Sequence, residues 1–270
     1  MQRLMKEKKR WDQLAITFGR EMGGLAAIQF YDLGSTKWLN NYADKLNVCA
    51  FNRLADPSVA AELILDVGCG VGRVIPQLSM MGYTIGIDFS KEMVKLAHEK
   101  TKQMGINNVD FCVMSVNQLG FIKSFSNFVV CVYVLGYLPN NKLLEDSIRE
   151  IMRVAKPNAK FLIMDNFATI PQNAPVADPR NYVFSSSNFF DILPYQGVKT
   201  IEWIGVSAKP FVDIALLLGR IDRKIPLAKP VAMILGTLLF FTSILTQKWF
   251  RNASNLRAFL FQKFNSNIVF

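Results

Sequence analysis

Short apolar runs alternate with amphipathic stretches through the middle of the chain. Apolar runs of strand length occur at Leu63–Leu65, Tyr83–Ile87, Val109–Val113, 127–135 and Lys160–Met164. The stretches between them repeat apolar side chains at helical spacing. This alternation predicts an α/β fold, in which a doubly wound, mostly parallel sheet of seven strands carries helices on both faces.

Further elements flank this core on both sides. Two helices are expected before it, over 1–20 and 35–55, where apolar residues recur at helical spacing. After the core, Lys199–Val206 alternates like a strand, and Asn255–Lys263 is its expected antiparallel partner. Between these two strands, Val231–Gln247 contains no charged residue and predicts an apolar helical insertion.

The boundaries of these elements divide the chain into four parts. We expect an N-terminal helical cap over 1–59, a ligand-binding domain over 60–209, the apolar insertion over 210–250 and a returning strand over 251–270. The cap either packs on the domain as an ordinary amphipathic helix or covers its cleft as a lid. A short helix is also expected near 186–192.

The net charge of +10 is concentrated at the two ends of the chain. Residues 1–11 hold five basic residues and one acidic residue, and residues 199–270 hold ten basic and three acidic ones, so their net charges are +4 and +7. The middle, 12–198, has a net charge of −1. Because a nucleic-acid enzyme usually lines its cleft with basic residues, no nucleic acid is expected as a partner. Basic ends beside apolar segments fit an anionic membrane surface.

The composition fits one cytoplasmic α/β domain with additions. The chain has 270 residues and is 51% hydrophobic, which is enough to bury a substantial core. The four cysteines, Cys49, Cys69, Cys112 and Cys131, form no CxxC pair, so we expect free thiols in a reducing compartment and no metal site. His98 lies among charged residues, which indicates a solvated helix face.

A glycine-rich turn after the first strand carries the candidate chemistry. Asp66 closes the strand, and Gly68, Gly70 and Gly72 follow at intervals of two before helical spacing resumes. Such glycines let backbone N–H groups and a helix N-terminus approach a nucleotide-like ligand without a Cβ in the way. The second strand ends in Asp88, a position from which a carboxylate can accept hydrogen bonds from both ribose hydroxyls.

A dinucleotide such as NAD is one candidate cofactor for this turn. The dinucleotide fingerprint G-x-G-x-x-G, begun at Gly68, requires a third glycine at position 73, where the chain has Arg73. No second dinucleotide-binding half follows. An NAD-dependent oxidoreductase is therefore the less favoured interpretation.

Three segments together resemble the class I S-adenosylmethionine-dependent methyltransferases of the small-molecule type. Asp66–Gly72 matches the first motif of that family, acidic-x-Gly-x-Gly-x-Gly, and Gly86–Ser90 matches the second. The stretch 134–165 resembles the fourth and fifth motifs, in which a leucine and an aromatic residue precede a helix and a K-P-G-like turn follows it. The resemblance covers roughly residues 60–166 and implies the family's Rossmann-like fold, with S-adenosyl-L-methionine as cofactor.

The resemblance also assigns roles around the cofactor. It implies that Gly68 and Gly70 contact the methionine and ribose parts through their backbone, and that Asp66 acts in or near the site through its carboxylate or a water. Asp88 would bind the ribose 2′- and 3′-hydroxyls, with Phe89 against the adenine. The complete predicted cofactor site is Asp66, Gly68, Cys69, Gly70, Asp88, Phe89, Ser115, Val116 and Val132, with Val132 facing the methionyl tail.

Two positions depart from the pattern of the family. Many relatives carry an aspartate where this chain has Ser115, and that aspartate contacts the adenine amino group. A second aspartate commonly opens the fourth strand, where the chain has Asn127. Losing one charge-assisted hydrogen bond would weaken cofactor binding by roughly 1–2 kcal/mol without touching the ribose or glycine contacts.

The expected reaction is in-line transfer of a methyl group to a small-molecule or lipid-like acceptor. A general base is needed only if the acceptor must lose a proton, and Tyr137, Tyr133 and Tyr31 are weak candidates for contacting the acceptor. A non-catalytic cofactor-binding or membrane-scaffold protein remains the alternative from another class. The apolar insertion fits docking on the cytoplasmic face of a membrane, burial in a subdomain or homodimer interface, or, least well, a membrane span.

Overall fold

The structure is a computed structural model that describes most of the predicted core. The described residues are 2–18, 37–55, 61–138, 140–168, 184–185, 198–207, 256–263 and single positions between 234 and 245. Tyr31 and the helix expected near 186–192 lie outside these residues.

Helices and strands alternate as the apolar pattern predicts. Two helices, α1 (Gln2–Phe18) and α2 (Lys37–Leu54), precede the sheet. The core then runs β1 (Leu63–Val67), α3 (Ile75–Ser79), β2 (Tyr83–Asp88), α4 (Lys91–Gln103), β3 (Val109–Val113), β4 (Ser126–Val132), α5 (Asn141–Val154) and β5 (Ala155–Ala168). The last described strands are β6 (Phe184–Ser185), β7 (Val198–Ser207) and β8 (Leu256–Lys263).

The strands form one mixed sheet whose order places a crevice at its centre. The order is β3-β2-β1-β4-β5-β8-β7, and β6 pairs with β5 outside this row. The first five strands of the row are parallel, whereas β8 is antiparallel to both β5 and β7. The chain moves outward from β1 to β3 and then returns to place β4 beside β1. In open α/β sheets ligands bind at this kind of reversal, beyond the carboxyl ends of the strands.

The predicted fold class is confirmed, with one difference in the sheet. The antiparallel pair predicted near 199–206 and 255–263 is present as β7 and β8. The described sheet has eight strands instead of seven, because β6 adds a two-residue pairing on β5. Two residues are too few to show a period of two in the sequence.

Alternate residues of the central strands pack into two separate cores, one on each face of the sheet. Leu65 and Val67 belong to the core that includes the apolar side of α5. Ile64 belongs to the core formed with α2 and α3. Alternation of this kind, with both faces apolar, is what a parallel sheet covered on both sides requires.

The turn expected between α5 and the fifth strand is instead a bulge inside β5. Ala155 already pairs with Ser126, and the next register pair joins Lys160 to Phe128. Residues 156–159 are therefore looped out of the ladder, and Asn158 takes a left-handed φ of 63°. The local sequence identified the break correctly, but pairing with β4 keeps both sides of it in one strand.

The described part of the apolar insertion is helical. Residues at scattered positions from 234 to 245 have helical backbone, and Leu239 packs against the α2 side of the core. Within the described ranges, no helix is both long and apolar enough to cross a membrane.

Candidate functional site

The carboxyl ends of β1, β2 and β4 open into a cleft. Eight of the nine predicted cofactor residues line it: Gly68, Cys69, Gly70, Asp88, Phe89, Ser115, Val116 and Val132. The fold therefore brings these residues together, and their individual ligand contacts remain predictions.

The turn after β1 is held against β2 by backbone hydrogen bonds. The N–H groups of Gly68 and Cys69 both donate to the carbonyl oxygen of Ile87, at 2.7 and 2.9 Å. Gly68 has a φ of +72°, and a Cβ added there would lie 2.1 Å from Val134 Cγ2. Only glycine fits this position, because any side chain would meet β-branched Val134 as well as backbone strain.

Asp88 connects the tip of β2 to the glycine turn and to α4. Its Oδ2 accepts a hydrogen bond from Gly70 N at 3.0 Å, and its Oδ1 accepts one from Ser90 N at 2.8 Å. Burial raises the pKa of Asp88 to about 6, although the N–H donors oppose that rise. The carboxylate is thereby fixed in one orientation, and each oxygen retains a lone pair for a ligand hydroxyl.

Asp66 lies beneath the glycine turn and is not part of the cleft wall. The residue is 1% exposed, and its Oδ2 has no hydrogen-bond partner within the described part of the chain. Burial raises its pKa to about 7, while Arg73 lowers it and Asp88 raises it further. A buried carboxylate oxygen without a donor is costly, so Asp66 keeps an unused hydrogen-bond acceptor beneath the turn.

The pKa values of Asp66 and Asp88 predict how the ligand-free protein responds to pH. Both lie above the unfolded value of 3.8, so the native state binds more protons than the unfolded state from about pH 4 to pH 7. The stability contributed by these groups is present below pH 4 and is lost as pH rises through 7. Between pH 5 and 8 we expect Asp66 to lower the free energy of unfolding by about 2–3 kcal/mol.

Urea unfolding of the wild type and of Asp66→Asn at pH 5 and pH 8 measures this contribution. Asparagine cannot ionise, so the variant should lose less stability than the wild type over this interval. An equal loss in both proteins would contradict the assignment of a raised pKa to Asp66.

Of the two departures from the family pattern, only Ser115 lies at the cleft. Ser115 lines the cleft, and its hydroxyl donates to Asn117 Oδ1 at 2.6 Å. Asn127 lies at the opposite end of β4, where its Oδ1 accepts a hydrogen bond from Lys156 Nζ at 3.3 Å. The expectation that Asn127 weakens a cofactor contact is therefore wrong, because its side chain does not reach the cleft.

Aromatic residues line the part of the cleft beyond β4. Tyr133 has a left-handed φ of 57°, and its hydroxyl donates to Asn47 Oδ1 at 2.9 Å. Tyr137 meets the ring of Trp11 edge to face, with centroids 5.2 Å apart. A non-glycine residue with positive φ directly after a strand at a ligand cleft is a common feature of functional sites.

Helix α1 supplies a wall of the cleft, although none of its residues was among the predicted site residues. Trp11 lines the cleft, and Leu14 and Ala15 are buried against α4 and the glycine turn. The Asp12 carboxylate accepts a hydrogen bond from the Ser90 hydroxyl at 2.5 Å, which ties α1 to the start of α4. The helix thus packs on the domain and also borders the cleft, whereas movement as a lid remains a prediction. Its amphipathic spacing was the only signal for this placement.

The cysteines are thiols and form no recognisable metal site. All four are free; Cys69 and Cys131 are buried, and Cys49 and Cys112 are partly buried. Burial raises the pKa of the Cys69 and Cys131 thiols well above its usual range. No cluster of His, Cys, Asp and Glu side chains suited to a metal ion occurs among the residues that the structure describes.

Three features are typical of α/β proteins that bind nucleotide cofactors. They are a parallel sheet whose strand order reverses at β1, a glycine turn after β1, and a buried acid at the end of β2. The methyltransferase-domain family model matches residues 64–158. Residues 64–158 therefore match a methyltransferase domain, and this match confirms the family resemblance that the motifs of this stretch predict.

Individual relatives match through this domain. An uncharacterized methyltransferase of Bacillus subtilis, YcgJ, is 30% identical over 120 residues, which are 44% of this chain and 45% of the relative. A demethylmenaquinone methyltransferase of Lactococcus lactis is 28% identical over 171 residues, 60% of this chain and 64% of the relative. The chain thus spans less than two thirds of each of these relatives. Among solved structures, the cyclase SpnF shares the fold, with a TM-score of 0.60 and 16% identity over 82% of this chain and 80% of that one.

Proposed function

We propose that the protein transfers a methyl group from S-adenosyl-L-methionine to a small-molecule or lipid-like acceptor. The observation that carries the proposal is the fixed Asp88 carboxylate, which accepts hydrogen bonds from Gly70 N and Ser90 N at the mouth of a glycine turn that belongs to a methyltransferase domain. This arrangement presents an acid and an open backbone to one ligand.

The residues at the base of the cleft fit the proposed cofactor. Asp88 retains acceptors for the two ribose hydroxyls, and the unpartnered Oδ2 of Asp66 fits the ammonium group directly or through a water. Within the described ranges, no atom lies within 4 Å of the place where a Cβ of Gly70 would stand, so we propose that its backbone is open to the ligand. When bound, the cofactor supplies a methyl group already activated by a positively charged sulfur.

The remaining residues of the cleft align the acceptor and exclude water. Transfer to a nucleophile in line with an activated methyl group depends mainly on orientation. Trp11 and Tyr137 form an aromatic wall from α1 to the end of β4, and this wall keeps water from the reacting atoms. Tyr137 is the proposed acceptor contact, because it lines the cleft where the chain has just left β4.

A lipid-like acceptor is supported by an apolar stripe on the insertion. Ile234, Leu238, Phe241 and Leu245 are each more than half exposed, and their spacing places them on one side of a helix. The surrounding segment 199–270 carries a net charge of +7. We propose that this stripe approaches an anionic membrane surface, because apolar side chains beside basic ones bind such surfaces.

Transfer of a labelled methyl group tests the function. Purified protein and labelled S-adenosyl-L-methionine are incubated with a total cell extract, which is then separated into lipid and aqueous fractions. We expect label in a low-molecular-mass product, and more of it when anionic vesicles carry the lipid fraction. Asp88→Asn should abolish the signal. Label on protein or nucleic acid alone would contradict the proposed acceptor class.

A non-catalytic protein that binds the cofactor is the second candidate. The support for it is limited to the fold: SpnF, which shares this fold, is named as a cyclase, so the fold by itself does not require methyl transfer. Tight binding of S-adenosylhomocysteine without transfer to any fraction of the extract would favour it.

A further inference from the structure

Arg73 is a charged residue of the cleft for which the proposed function gives no role. It follows the third glycine of the turn, its side chain is 13% exposed, and it lines the cleft. Its guanidinium carbon lies 5.4 Å from the centre of the Tyr133 ring, which fits a cation–π contact. In the sequence this residue attracted notice only because it is not the glycine of a dinucleotide fingerprint.

The hydrogen-bonding capacity of Arg73 is largely unused in the described structure. A guanidinium has five N–H donors. Its nearest carboxylate oxygen, Asp44 Oδ1, is 3.7 Å from Arg73 Nε, which is longer than a hydrogen bond, and that oxygen has no hydrogen-bond partner either. Burial raises the pKa of Asp44, against the effect of Arg73. The pair therefore leaves the arginine with donors for the cleft.

Arg73 is also the only cationic side chain among the described residues that line the cleft. The two acids of the lining have other partners: Glu7 accepts from Arg10 at 3.2 Å, and Asp88 accepts from Gly70 and Ser90. A ligand oxyanion in the cleft therefore finds one cation with donors to offer. Beside it, Trp11 and the other aromatic rings provide an apolar surface.

We propose that Arg73 is the oxyanion-binding residue of the cleft and that it takes a carboxylate group of a bound molecule. The planar guanidinium fork matches the two oxygens of a carboxylate, and stacking over Tyr133 holds the fork in place. The carboxylate could come from the amino-acid end of the cofactor or from an acidic group on an acceptor with an apolar body. Both of these sources are taken from the proposed function, and the inference rests on it to that extent.

Three probes distinguish the two sources. S-adenosylhomocysteine carries the carboxylate, methylthioadenosine has the same nucleoside and sulfur without it, and benzoate presents a carboxylate on a flat apolar ring. Each is titrated calorimetrically into the wild type, Arg73→Met and Arg73→Lys, with benzoate added to protein saturated with methylthioadenosine. The lysine variant keeps the charge and guards against misfolding as the cause of a loss.

We expect Arg73→Met to weaken binding of a carboxylate probe about 10- to 100-fold, with an intermediate effect for Arg73→Lys and none on methylthioadenosine. A loss for S-adenosylhomocysteine identifies the cofactor as the source, and a loss for benzoate identifies the acceptor. Unchanged binding of both, or an equal loss for all three probes, would overturn the proposal. If the protein binds neither nucleoside, benzoate is titrated without methylthioadenosine. Benzoate binding that still depends on Arg73 would then support the oxyanion site and contradict the proposed methyltransferase function.

Discussion

Replacing Gly70 with alanine is expected to abolish cofactor binding while leaving the protein folded. Gly70 has a φ of +53°, and no atom of the described residues lies within 4 Å of the position that a Cβ would take. The new methyl group would therefore clash with none of these residues, but it would occupy space in the cleft where the ligand approaches the backbone. We expect the affinity for S-adenosylhomocysteine, measured by calorimetry, to fall more than about 100-fold, which corresponds to roughly 3 kcal/mol.

Gly105 offers a matched control for this substitution. It follows α4 with a φ of +70°, and it does not line the cleft. An added Cβ would also have no atom within 4 Å in the part of the chain that the structure describes. Alanine at either position should cost about 1–2 kcal/mol of stability, because both glycines have left-handed backbone. Only the variant at Gly70 should lose the ligand. Equal affinity in the two variants would show that the cofactor does not lie against Gly70.

Asp88→Asn is expected to have the second largest effect. The amide keeps the shape of the carboxylate but replaces one acceptor with a donor, which then faces the N–H of Gly70 or of Ser90. Hydrogen bonds to a charged group contribute about 1.5–3 kcal/mol each, and two ribose hydroxyls are proposed to donate here. Affinity for S-adenosylhomocysteine should therefore fall at least about 100-fold.

Asp110→Asn serves as the control for the loss of a charge. Asp110 is exposed on the neighbouring strand β3, where it accepts a hydrogen bond from the Tyr83 hydroxyl. Its variant should bind S-adenosylhomocysteine as the wild type does. If Asp88→Asn also retained full affinity, the carboxylate would not be a ribose contact.

Periodic burial explains why the core of the fold was predictable from the sequence. The runs that became β1, β4 and β5 are covered on both faces, so each appears as a nearly continuous apolar segment. Serine is a typical N-cap residue, and the Ser90 hydroxyl accepts a hydrogen bond from Met93 N at 3.2 Å at the start of α4. The glycine turn was equally clear, since positive φ at Gly68 admits no other residue there.

Features that depend on distant contacts were not predictable. The bulge at 156–159 follows from pairing with β4, and β6 is two residues long. Local sequence contains neither the partner strand nor the register.

The candidate site likewise contains residues that local sequence predicted and residues that depend on distant contacts. Motif residues converge on the cleft because they follow consecutive parallel strands, and that geometry is implied by the α/β pattern alone. Arg73 was overlooked because its role depends on the ring of Tyr133 and on Asp44, which is 29 positions away in the sequence. Trp11 enters the cleft only because α1 packs against α4. Spatial neighbours of this kind leave no local pattern.

Calorimetric titration of the purified protein with S-adenosylhomocysteine and, separately, with NAD tests the central claim most directly. The glycine turn and Asp88 predict binding of one S-adenosylhomocysteine per chain, with no binding of NAD. Binding of NAD, or no heat with S-adenosylhomocysteine at millimolar concentration from a folded sample, would contradict the assignment of this cleft to a methyltransferase cofactor.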